Sequence, residues 1–268
     1  MLYQGDQIVM FYGSNSWSYT RLGRIEDLTG WEEALGSGDV TVTFSLEEEG
    51  MKILAVNGSP RPNGNTVTLL ERAMEGARSQ GAETKRIDLY RLNYKGCVSC
   101  FYCKRKDKPH GTCAVRDDLS PVLTELKEAD ALLLGSPIYY DNITSGMVAF
   151  LERFLFSNYI YSEEIPTVFP KVLPTGFLYD MNITRERAEE VHLYSDLEKY
   201  QRSITEVLGK APKTLYVYNT WQFSDYSKYE SSIFSETDKR RQREEQFPLD
   251  CLAAYDLGVR LAEQAKRG

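Results

Sequence analysis

Short apolar runs alternate with amphipathic stretches along most of this chain. Met51-Lys52-Ile53-Leu54-Ala55-Val56-Asn57 is apolar over a length that suits a buried strand and is too short for a helix. After a polar turn, Val67, Leu69, Leu70, Ala73, Met74 and Ala77 recur at helical spacing. The series continues with a strand predicted at 84–89 and a helix at 119–129 opened by Asp117 and Asp118. A buried strand is predicted at 131–135, a helix at 145–156, and a fourth strand within 168–179, interrupted by Pro174. One long helix is predicted over 185–208, a fifth strand over 213–220, and a largely helical tail over 239–266. Strands and helices in strict alternation predict an α/β fold, a doubly wound parallel sheet. Five strands suit the order 2-1-3-4-5, whose ligand sits beyond the carboxyl ends, where strands one and three diverge.

Residues 1–50 break this pattern. Gln7-Ile8-Val9-Met10-Phe11-Tyr12, Trp17-Ser18-Tyr19-Thr20 and the strictly alternating run at 39–46 read as short strands separated by Gly, Asn and Ser turns. Charge divides the chain at the same place. Nine acids stand against Arg21 and Arg24 in residues 1–50, a net −7, so residues 51–268 balance at zero. Two domains, 1–50 and 51–268, are therefore expected. Glu47-Glu48-Glu49-Gly50 reads as their linker, and Met51 as the start of a once free-standing unit.

The turn after the first strand of the second unit carries chemistry. Gly58-Ser59-Pro60-Arg61-Pro62-Asn63-Gly64-Asn65-Thr66 leads straight into a helix, whose first-turn N–H groups have no partner within the helix and whose dipole favours an anion. Ser59, Arg61, Asn65 and Thr66 can all reach a phosphate. A Walker loop is excluded, because Gly58 and Gly64 are one residue too far apart and Asn65 stands where its lysine should be. No G-x-G-x-x-G spacing occurs, which excludes the dinucleotide fingerprint.

This loop resembles the phosphate loop of the flavodoxin-like NAD(P)H-dependent FMN reductases. The resemblance implies a second contact after the third strand. There Ser136-Pro137-Ile138-Tyr139-Tyr140 is similar to the segment with which those proteins border the isoalloxazine, so Pro137, Ile138, Tyr139 and Tyr140 join the expected FMN site. Tyr179-Asp180-Met181-Asn182 would form a third side. Phe11-Tyr12-Gly13-Ser14-Asn15 and Leu22-Gly23-Arg24-Ile25 resemble the closing half of a cyclophilin-like β domain, of which residues 1–50 would be only a part.

Four of the five cysteines, Cys97, Cys100, Cys103 and Cys113, form C-x2-C-x2-C-x9-C. The spacing resembles that of the iron–sulfur flavoproteins, which implies a [4Fe–4S] cluster beside FMN. The final gap is longer than the compact motif prefers, and Lys104, Arg105, Lys106 and Lys108 crowd it. Three readings stay open: small packing residues, a redox-active thiol pair, or cluster ligands. Zinc fits poorly, because successive steps of three do not form two separated pairs. Cys251, beside Leu252 and Ala253, is expected in the core.

Two histidines and no G-x-S-x-G make a serine hydrolase an unsuitable reading. Neither unit carries a basic stripe, which argues against nucleic acid, and no apolar run is long enough to span a membrane. No export signal opens the chain, so a cytoplasmic protein is expected. The resemblance implies NAD(P)H as co-substrate, a small acceptor such as a quinone or free flavin, and a homodimer or larger assembly. An electron-transfer flavoprotein without its own substrate is the alternative. No catalytic side chain is assigned, since a flavin needs no triad. Asn158-Tyr159-Ile160-Tyr161 and the loop at 221–229 are candidates to cover the flavin.

Overall fold

A computed structural model describes residues 8–13, 16–21 and 50–267. The chain divides into two compact units, Met1–Gly50 and Met51–Gly268. In the first, β1 (Ile8–Gly13) and β2 (Ser16–Arg21) pair antiparallel. The strand expected at 39–46 and the linker at 47–49 lie outside the described residues.

The second unit is built on one sheet. Its elements are β3 (Lys52–Asn57), α1 (Asn65–Arg78), β4 (Glu83–Asp88), α2 (Leu119–Glu125), β5 (Ala131–Tyr139), β6 (Asn142–Ile143), α3 (Ser145–Asn158) and β7 (Thr175–Asp180). They are followed by α4 (Arg185–Glu190), α5 (Leu193–Leu208), β8 (Lys213–Val217), α6 (Glu236–Arg241) and α7 (Phe247–Ala265), with a π-helical turn at Gln242–Gln246 between the last two. The order is β4-β3-β5-β7-β8, all parallel, which is the flavodoxin-like 2-1-3-4-5. A sixth strand, the short β6, pairs antiparallel with the end of β5.

Period-two alternation along β3 feeds two cores. Leu54 and Val56 join the cluster built with Leu119, Phe150, Phe154, Leu197 and Ile204, while Ile53 and Ala55 face Leu69, Leu70, Ala73, Ala254 and Leu261. Among the described residues no helix is long and apolar enough to cross a membrane.

Four expected elements change shape. The helix expected at 185–208 is two, α4 and α5, because the buried Ala188 and Leu193 are five residues apart, off the helical phase. His192, at a φ of 56°, resets that phase. The helix expected at 119–129 ends at Glu125, where Lys127 and Glu128 donate to carbonyls three residues back and tighten the chain into turns. The fourth strand starts only after Pro174, and the third runs on to Tyr139, past the expected loop.

Helices α1 and α7 pack almost backbone to backbone. A Cβ on Gly258 would lie 1.8 Å from the Ala73 carbonyl oxygen. Helix propensity alone favours alanine there by about 1 kcal/mol, whereas overpacking costs about 1–3 kcal/mol or more. Gly258→Ala is therefore expected to lower the urea midpoint clearly; a midpoint at or above the parent's would show that the helices separate freely.

Candidate functional site at the carboxyl edge of the sheet

Asn57 shapes the turn that leaves β3. Its buried amide donates to Asp88 Oδ1 on β4 at 2.9 Å, and its Oδ1 accepts the Ser59 N–H at 2.9 Å. Burial opposes ionisation of Asp88, but hydrogen bonds from Asn57 and Arg86 outweigh it and hold the carboxyl below its usual range. Ser59 Oγ accepts the Arg61 N–H at 3.2 Å, so the loop folds on itself before α1 begins.

No side chain caps α1; its N-cap is Gly64. The first-turn amides of a 14-residue helix are thus left to whatever sits before them, with Arg61 alongside. The remaining donors of the loop reach across the sheet edge. Arg61 Nη1 donates to the Gln222 carbonyl at 3.0 Å and Asn65 Nδ2 to the Trp221 carbonyl at 3.0 Å. Thr66 Oγ1 donates to Asp180 Oδ1 at the end of β7.

The second expected loop is a hairpin. Ile138 pairs with Ile143 and Tyr139 with Asn142, while Tyr140 and Asp141 take φ of 49° and 57°, the positive values that a type I′ turn requires. The sequence Tyr-Asp lacks the glycine that usually announces such a turn. Two bonds lock this hairpin to the phosphate-type loop: Gly58 N–H to the Gly135 carbonyl at 2.8 Å, and Thr144 Oγ1 to the Gly58 carbonyl at 2.7 Å.

All eight expected residues therefore lie on these two joined segments. Ser59, Thr66 and Pro137 are buried, Asn65 and Ile138 half-buried, and Arg61, Tyr139 and Tyr140 exposed. Tyr139 shares its surroundings with Arg61 and Asp180, and burial pushes its phenol up. Tyr140 stands fully open at the hairpin tip.

One participant escaped the sequence, and one expected third-side residue turned out buried. Lys239 is buried and donates to the Asn182 carbonyl at 2.7 Å, to Asn219 Oδ1 at 2.8 Å and to the Thr220 carbonyl at 3.3 Å, fixing the segment that carries Trp221 and Gln222. Burial without a carboxylate partner lowers its ammonium to about 8. Asp180 is buried too, and burial raises its carboxyl to about 6 against the opposing hydrogen bond from Thr66.

The four clustered cysteines line one hollow with Phe101, Glu152 and Arg153. Cys97 and Cys100 are exposed, Cys113 is half-buried and Cys103 is buried. Ser99 and Phe101, either side of Cys100, both take positive φ. Arg153, buried on α3, donates to Cys113 Sγ at 3.1 Å, to Asp117 Oδ2 at 2.7 Å, and to the Lys95 and Val115 carbonyls. Among the described residues, no three Cys, His, Asp or Glu side chains are gathered to hold a metal ion, so the four thiols share a hollow without forming a ligand set. Tyr159 and Tyr161 stand around Lys104 beside this segment, and Cys251 lies in the core as expected.

Residues 51–164 match the family model described as NADPH-dependent FMN reductase, and residues 1–45 match that of a cyclophilin-like family. An iron-sulfur flavoprotein of Methanocaldococcus jannaschii is 35% identical over 103 residues, 38% of this chain and 51% of that one. Another, of Archaeoglobus fulgidus, is 37% identical over 103 residues, 38% of this chain and 48% of its own. The chain thus spans about half the length of the curated relatives it matches. The solved NAD(P)H:quinone oxidoreductase from Methanothermobacter marburgensis superposes with a TM-score of 0.57 at 16% identity, over 79% of this chain and 96% of that one, a likeness of fold. Residues 51–164, the stretch similar to the NADPH-dependent FMN reductase model, include the uncapped turn and the β5–β6 hairpin.

Proposed function

We propose that this protein is an FMN-dependent oxidoreductase that takes electrons from NAD(P)H and passes them to a small acceptor such as a quinone or free flavin. One observation carries the reading. An uncapped helix N-terminus and an aromatic hairpin are locked together where β3 and β5 diverge, within the segment that matches the FMN reductase family.

The residues present fit a phosphate monoester that bears a flat ring. The first-turn amides of α1, with Ser59, Arg61, Asn65 and Thr66, hold the phosphate. Arg61 and Asn65 exchange their present carbonyl partners for phosphate oxygens. Pro137, Ile138 and Tyr139 border the ring, and the exposed Tyr140 marks the side from which a nicotinamide or a second copy of the chain approaches. When bound, FMN supplies hydride acceptance and delivery; the protein supplies position and field.

A second reading rests on the cysteine hollow: an electron-transfer flavoprotein whose Cys97, Cys100, Cys103 and Cys113 hold a [4Fe–4S] cluster, which would add one-electron chemistry. The shared hollow supports it: Cys97, Cys100, Cys103 and Cys113 all line it, and the Arg153 hydrogen bond fixes the Cys113 sulfur there.

Four outcomes are expected. The flavin-loaded protein should oxidise NADH or NADPH with a quinone present; a bound flavin that neither nucleotide reduces would leave no reductase. Arg61→Ala should weaken FMN binding about tenfold to a hundredfold, the range for a charge-assisted hydrogen bond, measured by fluorescence titration. Material purified without oxygen should be yellow under the first reading and brown, with bound iron and sulfide, under the second. Arg153→Met should lose about 3–5 kcal/mol in a urea titration, because it strands Asp117.

A further inference from the structure

Asp180 closes the floor beneath the first turn of α1. It is the last residue of β7, 4% exposed, and among the described residues its carboxylate makes one hydrogen bond, from Thr66 Oγ1, and no ion pair. Its neighbours offer little else to stabilise a charge. Arg61 acts from the loop, but its guanidinium is given to the Gln222 carbonyl. From β5 the titratable neighbour is the Tyr139 phenol, and the register partner on β8 is the apolar Val217.

The direction of that single bond matters. A threonine hydroxyl has one proton and two lone pairs. While Asp180 is ionised, the Thr66 proton points down to the carboxylate, and the hydroxyl turns only lone pairs toward the anion site. A phosphate offers acceptors alone. It would therefore meet lone pairs in front of a buried negative charge, an unfavourable pairing in a dry site. One proton on Asp180 reverses every bond in the chain. The carboxylic acid donates to Thr66 Oγ1, and the Thr66 hydroxyl swings its own proton out to a phosphate oxygen.

We propose that Asp180 and Thr66 form a proton-coupled donor relay, so that the phosphate of FMN binds together with one proton taken from solvent onto Asp180. The inference rests on the FMN reading above and concerns the same site. No other bond forms or breaks; the proton comes from water or buffer. Burial raises the carboxyl to about 6 before any ligand arrives, and a dianionic phosphate close by would raise it further.

Calorimetric titration of FMN into the full chain, freed of flavin, in buffers of different ionisation enthalpy at pH 7.5 reads the coupling directly. A phosphate monoester is mostly a dianion at that pH, its second pKa being about 6. Close to one proton should be taken up per FMN bound, and none when riboflavin replaces FMN. Asp180→Asn presents an amide donor to Thr66 at every pH. It should show no uptake and bind FMN about tenfold or more tightly than the parent at pH 7.5, with the gap closing toward pH 5.5. FMN binding by the parent without proton uptake would overturn the relay and leave the FMN site standing. Failure of FMN to bind anywhere between pH 5.5 and 7.5 would end both. The titration of the parent decides the matter even where the variant does not fold.

Discussion

The Gly58 N–H reaches the Gly135 carbonyl at 2.8 Å, and the site depends on that contact. It ties the ends of β3 and β5 together at the place where their following segments part. A Cβ at position 135 would lie 2.8 Å from two Leu70 side-chain carbons and 3.0 Å from the Thr66 methyl, so a larger residue there would push α1 off the sheet. With α1 held down, its uncapped amides face the same crevice as the β5–β6 hairpin. Thr144 adds a second tie through the Gly58 carbonyl while capping α3. Backbone contact and the Thr144 hydroxyl together do this positioning.

Three buried charges around this frame are handled in three ways. Arg153 has a carboxylate, two carbonyls and a thiol, so its guanidinium is fully engaged. Lys239 has oxygen acceptors but no counter-charge, and burial lowers its ammonium to about 8 while it pins the 219–222 segment over the loop. Asp180 has one hydroxyl. The least satisfied of the three lies directly under the first turn of α1, at the candidate anion site.

The cysteine segment belongs to the same architecture, since Arg153 stands on α3, whose N-cap Thr144 is bonded to the phosphate-type loop. One helix therefore links both regions of chemistry. Its N-cap meets the candidate flavin site, and its third turn meets Cys113.

The linear pattern determined a good deal. Apolar runs marked the strands of the second unit, their alternation with amphipathic stretches implied the 2-1-3-4-5 sheet, and that order placed the two motif-bearing segments side by side. Ser59, Arg61, Asn65, Thr66 and the 137–140 segment were legible because each motif is contiguous, with its spacing set by one local turn. What the pattern could not reach was whatever depends on residues far apart in the chain. Thr66 finds Asp180 across 114 positions and Asn65 finds the Trp221 carbonyl across 156. The Trp221 carbonyl carries no signature, because a carbonyl is the same in every residue, and Asp180 was legible only as part of the 179–182 segment, without its partner. The hairpin and the break at His192 were hidden for a related reason. Positive φ at Tyr140, Asp141 and His192 is imposed by the strands and helices on either side, against local preference. Tertiary packing alone decided which polar groups would be buried together, since burial is a property of the assembled layers.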